Sequence, residues 1–388
     1  MRLVPVMPSA NSYANRQLQS HMANAQRTPR PVGDRAGVNG ASHNGGAPAI
    51  GPEAGRAMVA LIKGAERGVE QVAVDFDRRI EPFRPELLAH CYRMVGSVHD
   101  AEDLVQETYL RAWRARDQYD ENRASMRTWL YRIATNACLT ALAGRSRRPL
   151  PSDLVEQSDP LRPLVLGVDI TWLQPFPDAL IGSADPAVAT AARAGIRLAF
   201  VAAMQVLSAR QRAALILRDV LDFSAAETAE ILGSTTSAVN SSLHRARSRV
   251  GEGPMQERIE EPAEADRRAV VDRYVEAFVR ADVAALLRLL TDDVLMEMPP
   301  MVNWFVGREA YGRFMGWVFT KAGTDWRMLP VSANGQTAVA AYARGQSGEF
   351  EIHTLQVFTV TSAGISRNSV FQDTEVFAAF GLAATLAG

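Results

Sequence analysis

Asp100, Asp103 and Glu107 recur three and four residues apart in the segment DAEDLVQETYLRAWR, so on a helix their carboxylates form one acidic stripe. Ala101, Leu104, Val105, Thr108 and Ala112 recur on the opposite side at the spacing of a buried face. An acidic stripe of this kind suits a basic protein partner; the plain alternative is a solvated helix face. A second segment, MRTWLYRIATNACLTALAGRSRR, begins at Met126. Leu130, Ile133, Ala134, Ala137 and Ala141 make its buried stripe, leaving Arg127, Tyr131, Arg132, Thr135 and Asn136 on other faces and Trp129 near the boundary. Stacking of an unpaired base on an aromatic ring contributes about 1–3 kcal/mol, and arginines add phosphate contacts. Asn136 has the amide that pairs bidentately with adenine, although a lone helical Asn is more often solvated. Gly144 stops the helix, and Arg145, Arg147 and Arg148 follow with no acid nearby, the pattern of a phosphate-binding patch.

A second nucleic-acid signal lies at 206–250, VLSARQRAALILRDVLDFSAAETAEILGSTTSAVNSSLHRARSRV. Ser208 with Gln211, and Ser224 with Glu227, each make a capping-box pattern, and Gly233 is a helix stop. A turn and a further helix from Thr236 complete a helix-turn-helix. That last helix holds no acid. Small polar residues near its start (Ser234, Thr236, Ser237, Asn240, Ser241) are placed to reach base edges, and His244, Arg245, Arg247 and Arg249 to reach phosphates. His244 has no second ligand beside it and is not read as a metal site.

At these residues the sequence resembles the extracytoplasmic-function sigma factors, small bacterial transcription-initiation factors. Asp100–Arg116 and Trp129–Leu139 are similar to sigma region 2, and 206–250 to region 4, in the order and spacing of that family. The resemblance implies that Asp103, Leu104, Val105, Gln106 and Glu107 contact the clamp coiled coil of core RNA polymerase. It implies that Tyr119, Asn122, Arg127, Trp129, Tyr131, Arg132, Asn136, Arg145, Arg147 and Arg148 lie at or beside the melted −10 element. Region 4 then reads the −35 element.

The 388 residues suffice for two or three domains, and the net charge of −1 makes basic character local. Lysine occurs only at positions 63 and 321. No apolar run reaches the roughly 20 residues that span a bilayer, and the N-terminus lacks a signal peptide's apolar stretch. Cys91 and Cys138 give no disulfide framework, which suits a reducing cytoplasm. Residues 1–75 read as a disordered, mildly basic arm, with Met58 an alternative start. Region 2 is assigned to 76–148, a Pro-rich linker to 149–192 and region 4 to 193–253. Trp172 and Phe176, within WLQPFPDAL, are expected to dock on a folded surface.

From Asp266 the pattern changes class. Two adjacent helices, a strand at Val294–Met298 and a helix at Gly307–Thr320 precede strands at Trp326–Ala333, Thr337–Ala343, Phe350–Val360 and Ile365–Asp373, with a turn at Ser362–Gly364. This α+β arrangement at 264–388 resembles the SnoaL-like branch of the NTF2-like fold, a cone with an apolar pocket. Trp304, Tyr311 and Trp317 would line the pocket, and His353 and Asp373 are its candidate acid–base pair. Trp172-Leu173-Gln174-Pro175 is similar to a Trp-Leu-Pro-Glu-Pro linker motif of sigma groups that carry this domain. Their glycine-rich Asp-Gly-Gly-Gly-Arg motif is absent, and Arg344–Gly348 is the nearest stretch.

The expected whole is therefore multidomain, with two all-α DNA-binding domains and a C-terminal α+β cone that modulates them. No catalysis, cofactor, metal or membrane contact is expected; the partners are core polymerase, promoter DNA and a possible small ligand in the cone. The rivals are a helix-turn-helix regulator acting without polymerase and a small-molecule enzyme of the isomerase type.

Overall fold

Three helices form the first packed unit. Helix α1 (Arg84–Val95) ends where Gly96 turns left-handed at φ 72°. Helix α2 (Val98–Ala115) starts on Ser97, whose side chain accepts from the Asp100 amide at 3.3 Å. Helix α3 (Met126–Leu142) starts on Ser125, which accepts from the Thr128 amide at 3.1 Å. The α2 stripe Ala101, Leu104, Val105, Thr108 and Ala112 is buried as its spacing predicts. In α3 the buried set is broader than the predicted stripe: Tyr131 and Thr135 also point inward, while Ile133 and Ala141 are half-buried. The cause is α1, which lies between neighbours and is buried on nearly all sides, Glu86, His90 and Arg93 included.

This computed structural model describes residues 75–182, 192–193, 195–250 and 262–387, all within one compact unit. The arm expected at 1–75 lies outside them except for its last residue, as do 183–191 of the expected linker and 251–253 of the expected region 4.

Residues 149–182 form a strap without regular strands or long helices. Phe176 is fully buried with its ring 4.8 Å from that of Tyr92, and Leu173 and Ile181 are equally inaccessible. The docking expected of Phe176 is therefore present. Trp172 is half-buried, its carbonyl accepting from Arg148 at 3.0 Å.

Beyond the strap come α4 (Leu198–Met204), α5 (Ala209–Leu215), α6 (Ala225–Ile231) and α7 (Thr236–Val250). Both predicted capping boxes are formed, at Ser208/Gln211 and Ser224/Glu227. Helix α5 runs on into one wide π-helical turn, Ile216–Val220, which the sequence pattern did not announce.

The C-terminal part begins with α8 (Glu264–Val279) and α9 (Val283–Arg288). Strands β1 (Leu290–Glu297) and β2 (Trp304–Val306) follow, then α10 (Arg308–Ala322). The chain continues through β3 (Trp326–Ala333), β4 (Gln336–Arg344), β5 (Phe350–Thr361) and β6 (Gly364–Phe371), and ends with α11 (Thr374–Ala379) and the short β7 (Thr385–Leu386). The sheet order is β2-β1-β6-β5-β4-β3, with β7 added to β5. Pairing is antiparallel throughout β3 to β6, and only β1 and β6 run parallel among the described strands.

Successive strand residues face opposite sides. Val339, Ala341, Phe358 and Val360 pack with Tyr274, Phe278 and Phe314 of the cone's own helices. Ala338, Leu355, Val357 and Phe371 belong instead to the core shared with the helical units. A sheet buried on both faces explains why β4 reads as a nearly continuous apolar run, not an alternating one.

Asn334, at the tip of the β3–β4 hairpin, joins all of these parts. It adopts φ 56° before Gly335 at φ 66°, the left-handed pair of a tight Asn-Gly turn. Its amide nitrogen donates to Tyr92 Oη at 2.9 Å and to the Ile196 carbonyl at 2.6 Å, and its carbonyl oxygen accepts from the Phe176 amide at 2.8 Å. Tyr92 in turn donates to the Gln174 carbonyl at 2.7 Å. One side chain thus ties α1, the strap, the lead into α4 and the sheet.

Truncating Phe176 to Ala should destabilise the full chain by about 3–5 kcal/mol, the usual cost of emptying a phenylalanine site. Denaturant unfolding of the variant measures this; a loss below about 1 kcal/mol would mean the strap is not anchored there.

Candidate functional site

Helix α2 offers Asp103 and Gln106 to solvent and holds Glu107 half-exposed in an ion pair with Arg111 at 2.7 Å. Leu104 and Val105 do not join them; both are buried, because the stripe that builds the core runs through them. Asp100 is also committed. Its Oδ2 receives Arg148 at 2.8 Å and Arg145 at 3.2 Å, so the arginine cluster after α3 has an acid beside it after all. Arg147 is exposed and donates to the Asp153 carbonyl at 3.2 Å.

The residues expected at opened DNA divide into covered and open groups. Arg127 pairs with the buried Glu86 carboxylate at 3.0 Å, and Tyr131 donates to the same group at 3.2 Å. Phe223, just before α6, caps this cluster: its ring centroid lies 5.1 Å from that of Tyr131 and 4.5 Å from the Arg127 guanidinium. Arg132 reaches Glu230 of α6 at 3.6 Å. Tyr131 is thus inaccessible, and Arg127 and Arg132 are engaged by the second helical unit.

Trp129 is buried against Phe76 and Tyr119, the Tyr119 ring lying 4.9 Å away and half-exposed. Asn122 stays exposed in a loop that Asp120 holds by accepting from its amide at 2.9 Å. Asn136 is exposed. Sequence reasoning missed Glu86, Phe223 and Glu230, whose only signal is a lone acid in an otherwise buried helix and an aromatic beside an N-cap.

Helix α7 presents its predicted face openly. Thr236, Ser237, Asn240, Ser241, His244 and Arg245 line one shallow concave surface, and Ser234 is exposed just before it. Among the described residues, none of those six side chains has a hydrogen-bond partner within the chain. Arg247 differs: it grips Asp219 with two bonds of 2.9 and 2.6 Å and is already neutralised. The face is polar and cationic, and its buried side, Val239, Leu243 and Ala246, rests on α5 and α6.

The five residues named for a pocket in the cone do not converge. Of the five, only Tyr311 joins the polar network inside the cone. Trp304 turns to the strap and donates to the Val155 carbonyl at 2.9 Å, while Trp317 lies on the outer side of α10, stacked on Phe314. His353 sits edge-on to Trp326, its pKa lowered by burial, and Asp373 caps α11 through the Glu375 amide. Strand alternation and helix capping claim each residue for packing, so the expected acid–base pair is not assembled. The interior polar groups are instead Tyr274, Tyr311, Gln356 and Asn368: Tyr274 and Tyr311 hydroxyls lie 2.8 Å apart, and Asn368 donates to Tyr311 at 2.9 Å.

Beside the Glu86 cluster, burial and then the nearby Arg93 and Arg127 charges push His90 down to about 3. Its Nε2 lies 3.0 Å from Thr135 Oγ1, and Nδ1 has no partner. An unfolded histidine titrates near 6.5, so below that pH the unfolded chain binds more protons than the native one. Stability should therefore fall as pH drops from about 6.5 towards 3, by up to about 1.4 kcal/mol per unit. Denaturation midpoints of the parent and of His90→Gln check this: the variant should show the shallower dependence, and equal slopes would contradict it.

Comparison with known proteins agrees with this architecture. Residues 79–148 match the family model for sigma-70 region 2, 197–250 that for sigma-70 region 4, and 271–368 that for the SnoaL-like domain. The ECF RNA polymerase sigma factor SigG of Mycobacterium tuberculosis is 45% identical over 314 residues, covering 79% of this chain and 84% of that one. The ECF RNA polymerase sigma factor SigJ of the same species is 30% identical over 214 residues, 55% of this chain and 62% of that one. The crystal structure of SigJ superposes on 79% of this chain and 99% of its own with a TM-score of 0.54 at 22% identity, a likeness of fold. With two sigma modules in order, an appended SnoaL-like domain and a relative this similar across most of its length, the chain belongs to the ECF RNA polymerase sigma factors and acts in promoter-directed transcription initiation.

Proposed function

We propose that the free chain is a closed form of the sigma factor, in which the α3 face for the −10 element is held under the second helical unit. Asp103, Gln106 and Glu107 would then meet the polymerase clamp. Tyr119, Asn122, Trp129, Asn136 and the arginines from Arg127 to Arg148 would serve the opened −10 strand, with Tyr131 supporting them from below. Ser234, Thr236, Ser237, Asn240, Ser241, His244 and Arg245 would read −35 duplex. The observation that carries the closed form is the cover over α3 by Phe223 and Glu230. The observation that carries the −35 role is the open α7 face, whose polar and cationic side chains have no use inside the fold. The same observation would suit a regulator acting without polymerase, but the exposed acids of α2 favour a polymerase-bound role. Beside polymerase, the place of action is the cytoplasm.

The C-terminal cone acts here as a scaffold without catalysis. Its sheet fastens the strap, the strap fastens α1 and α4, and that fixes the spacing of the two DNA-binding units. Its interior is occupied by the Tyr274–Asn368 network, which leaves a small ligand no part in this reading.

Three measurements test the proposal. Asn240→Ala and Arg245→Ala should each cost about 1–3 kcal/mol in −35 duplex binding, with Arg245→Ala also lowering the salt slope by about 1. Undiminished binding by both would remove α7 from the reading. A charge reversal, Asp103→Arg, should abolish capture of core polymerase without changing duplex binding. A chain ending near residue 260 should bind a single-stranded −10 probe more tightly than the full chain; equal affinity would mean that the cone restrains nothing.

A further inference from the structure

Between the end of α3, the strap and the start of α5 lies a cavity of about 640 Å³. That volume falls within the roughly 300–1,000 Å³ of small-molecule sites. Four arginines, Arg145, Arg147, Arg148 and Arg212, line the cavity against one acid, Asp100. The carboxylate is shared, since a single oxygen of Asp100 serves both Arg145 and Arg148. Arg147 meets only a backbone carbonyl.

Arg212 is the unusual member. It is 4% exposed, yet its donors go to neutral acceptors: the Met204, Gln205, Leu207 and Met94 carbonyls and Gln205 Oε1. No carboxylate is among them. Its hydrogen-bonding capacity is met while, among the described residues, no carboxylate pairs with its charge, and that field extends into the cavity it lines. Guanidinium forks match carboxylate and phosphate oxygens alike, so the surplus of positive charge around one concave site is what favours a multiply charged phosphate over a single carboxylate or a neutral group.

We propose that this cavity binds a small phosphorylated metabolite bearing a diphosphate or an equally charged phosphate group. Arg145, Arg147 and Arg148 grip the phosphate, Arg212 supplies charge from the floor, and the organic portion rests against the strap at Thr171 and against Val206. Such a ligand touches α3, the strap and the lead into α5 together, so it reinforces the closed form. It also occupies arginines that the promoter reading assigns to the −10 strand, and it does so whether or not that assignment holds.

The test uses the full-length chain, free of DNA and polymerase, titrated at constant ionic strength with inorganic pyrophosphate and with ADP by calorimetry and thermal unfolding. Single-stranded oligonucleotide binding is measured on the same variants. Saturable one-site binding with a raised unfolding midpoint is expected. The double variant Arg145→Ala/Arg147→Ala should weaken both probes by about tenfold or more. Thr171→Trp keeps every charge and sets an indole on the strap side of the cavity, and should weaken pyrophosphate and ADP while retaining oligonucleotide binding; Ser146→Asp, on the exposed loop, should weaken the two small probes without perturbing the core. Absence of saturation overturns the proposal. So does unchanged probe affinity in Thr171→Trp and Ser146→Asp, or a loss that follows oligonucleotide affinity in every variant, since the arginines would then belong to a DNA groove alone.

Discussion

The structure depends on the Asn334 side chain. A tight Asn-Gly turn projects one amide into a fully buried place where Tyr92, Phe176 and Ile196 have polar atoms that need partners. A buried polar group left without a partner costs about 1–3 kcal/mol, so each of these groups specifies the position of the others. A network of this kind adds less stability than order: it tells α1, the strap, the lead into α4 and the sheet where to meet. The apolar core around it, Leu173, Phe176, Ala338 and Val357 among its members, supplies the driving force.

The polar and aromatic contacts that cover the proposed −10 face of α3 are individually weak. The Tyr131–Phe223 and Arg127–Phe223 contacts are each of a kind worth about 0.5–1.5 kcal/mol. The exposed Arg132–Glu230 pair contributes between about 0 and 1 kcal/mol. The buried Arg212 to Met94 link and the apolar core that the two helical units share add more. Under the proposed function, the roughly 8–12 kcal/mol of a micromolar to nanomolar association with polymerase is what separates the two helical units while the strap stays fastened. The arrangement reads as a releasable cover on a permanent scaffold.

Much of this was legible in the sequence because it follows from local rules. The capping boxes at Ser208 and Ser224, the stop at Gly233, and strands from Trp326 onward formed close to where periodicity and cap chemistry put them. The open α7 face was legible too, since small polar and basic residues on an acid-free helix have no other structural use. What escaped were relations between distant segments. Burial of Tyr131 depends on Phe223 and Glu86, neither adjacent in sequence. The ion pairs of Arg145 and Arg148 share Asp100, about 45 residues earlier, and that of Arg247 uses Asp219. In the cone, the five pocket residues had the right types, but strand register turned Trp304 to the strap and a helix cap claimed Asp373. Residue type predicts what a side chain is able to do; its partners decide whether it is free to do it.

The most direct measurement of the closed-form claim is the distance between α3 and α7, read by single-molecule energy transfer from dyes placed at Asn136→Cys and Ser248→Cys, which are both exposed, with the two buried native cysteines left unlabelled. The account predicts one short-distance population in the free chain, a shift to longer distances on binding core polymerase with promoter DNA, and partial opening without either partner in Asn334→Ala. An unchanged distance on forming the promoter complex, or a free chain already as extended as the bound one, would contradict it.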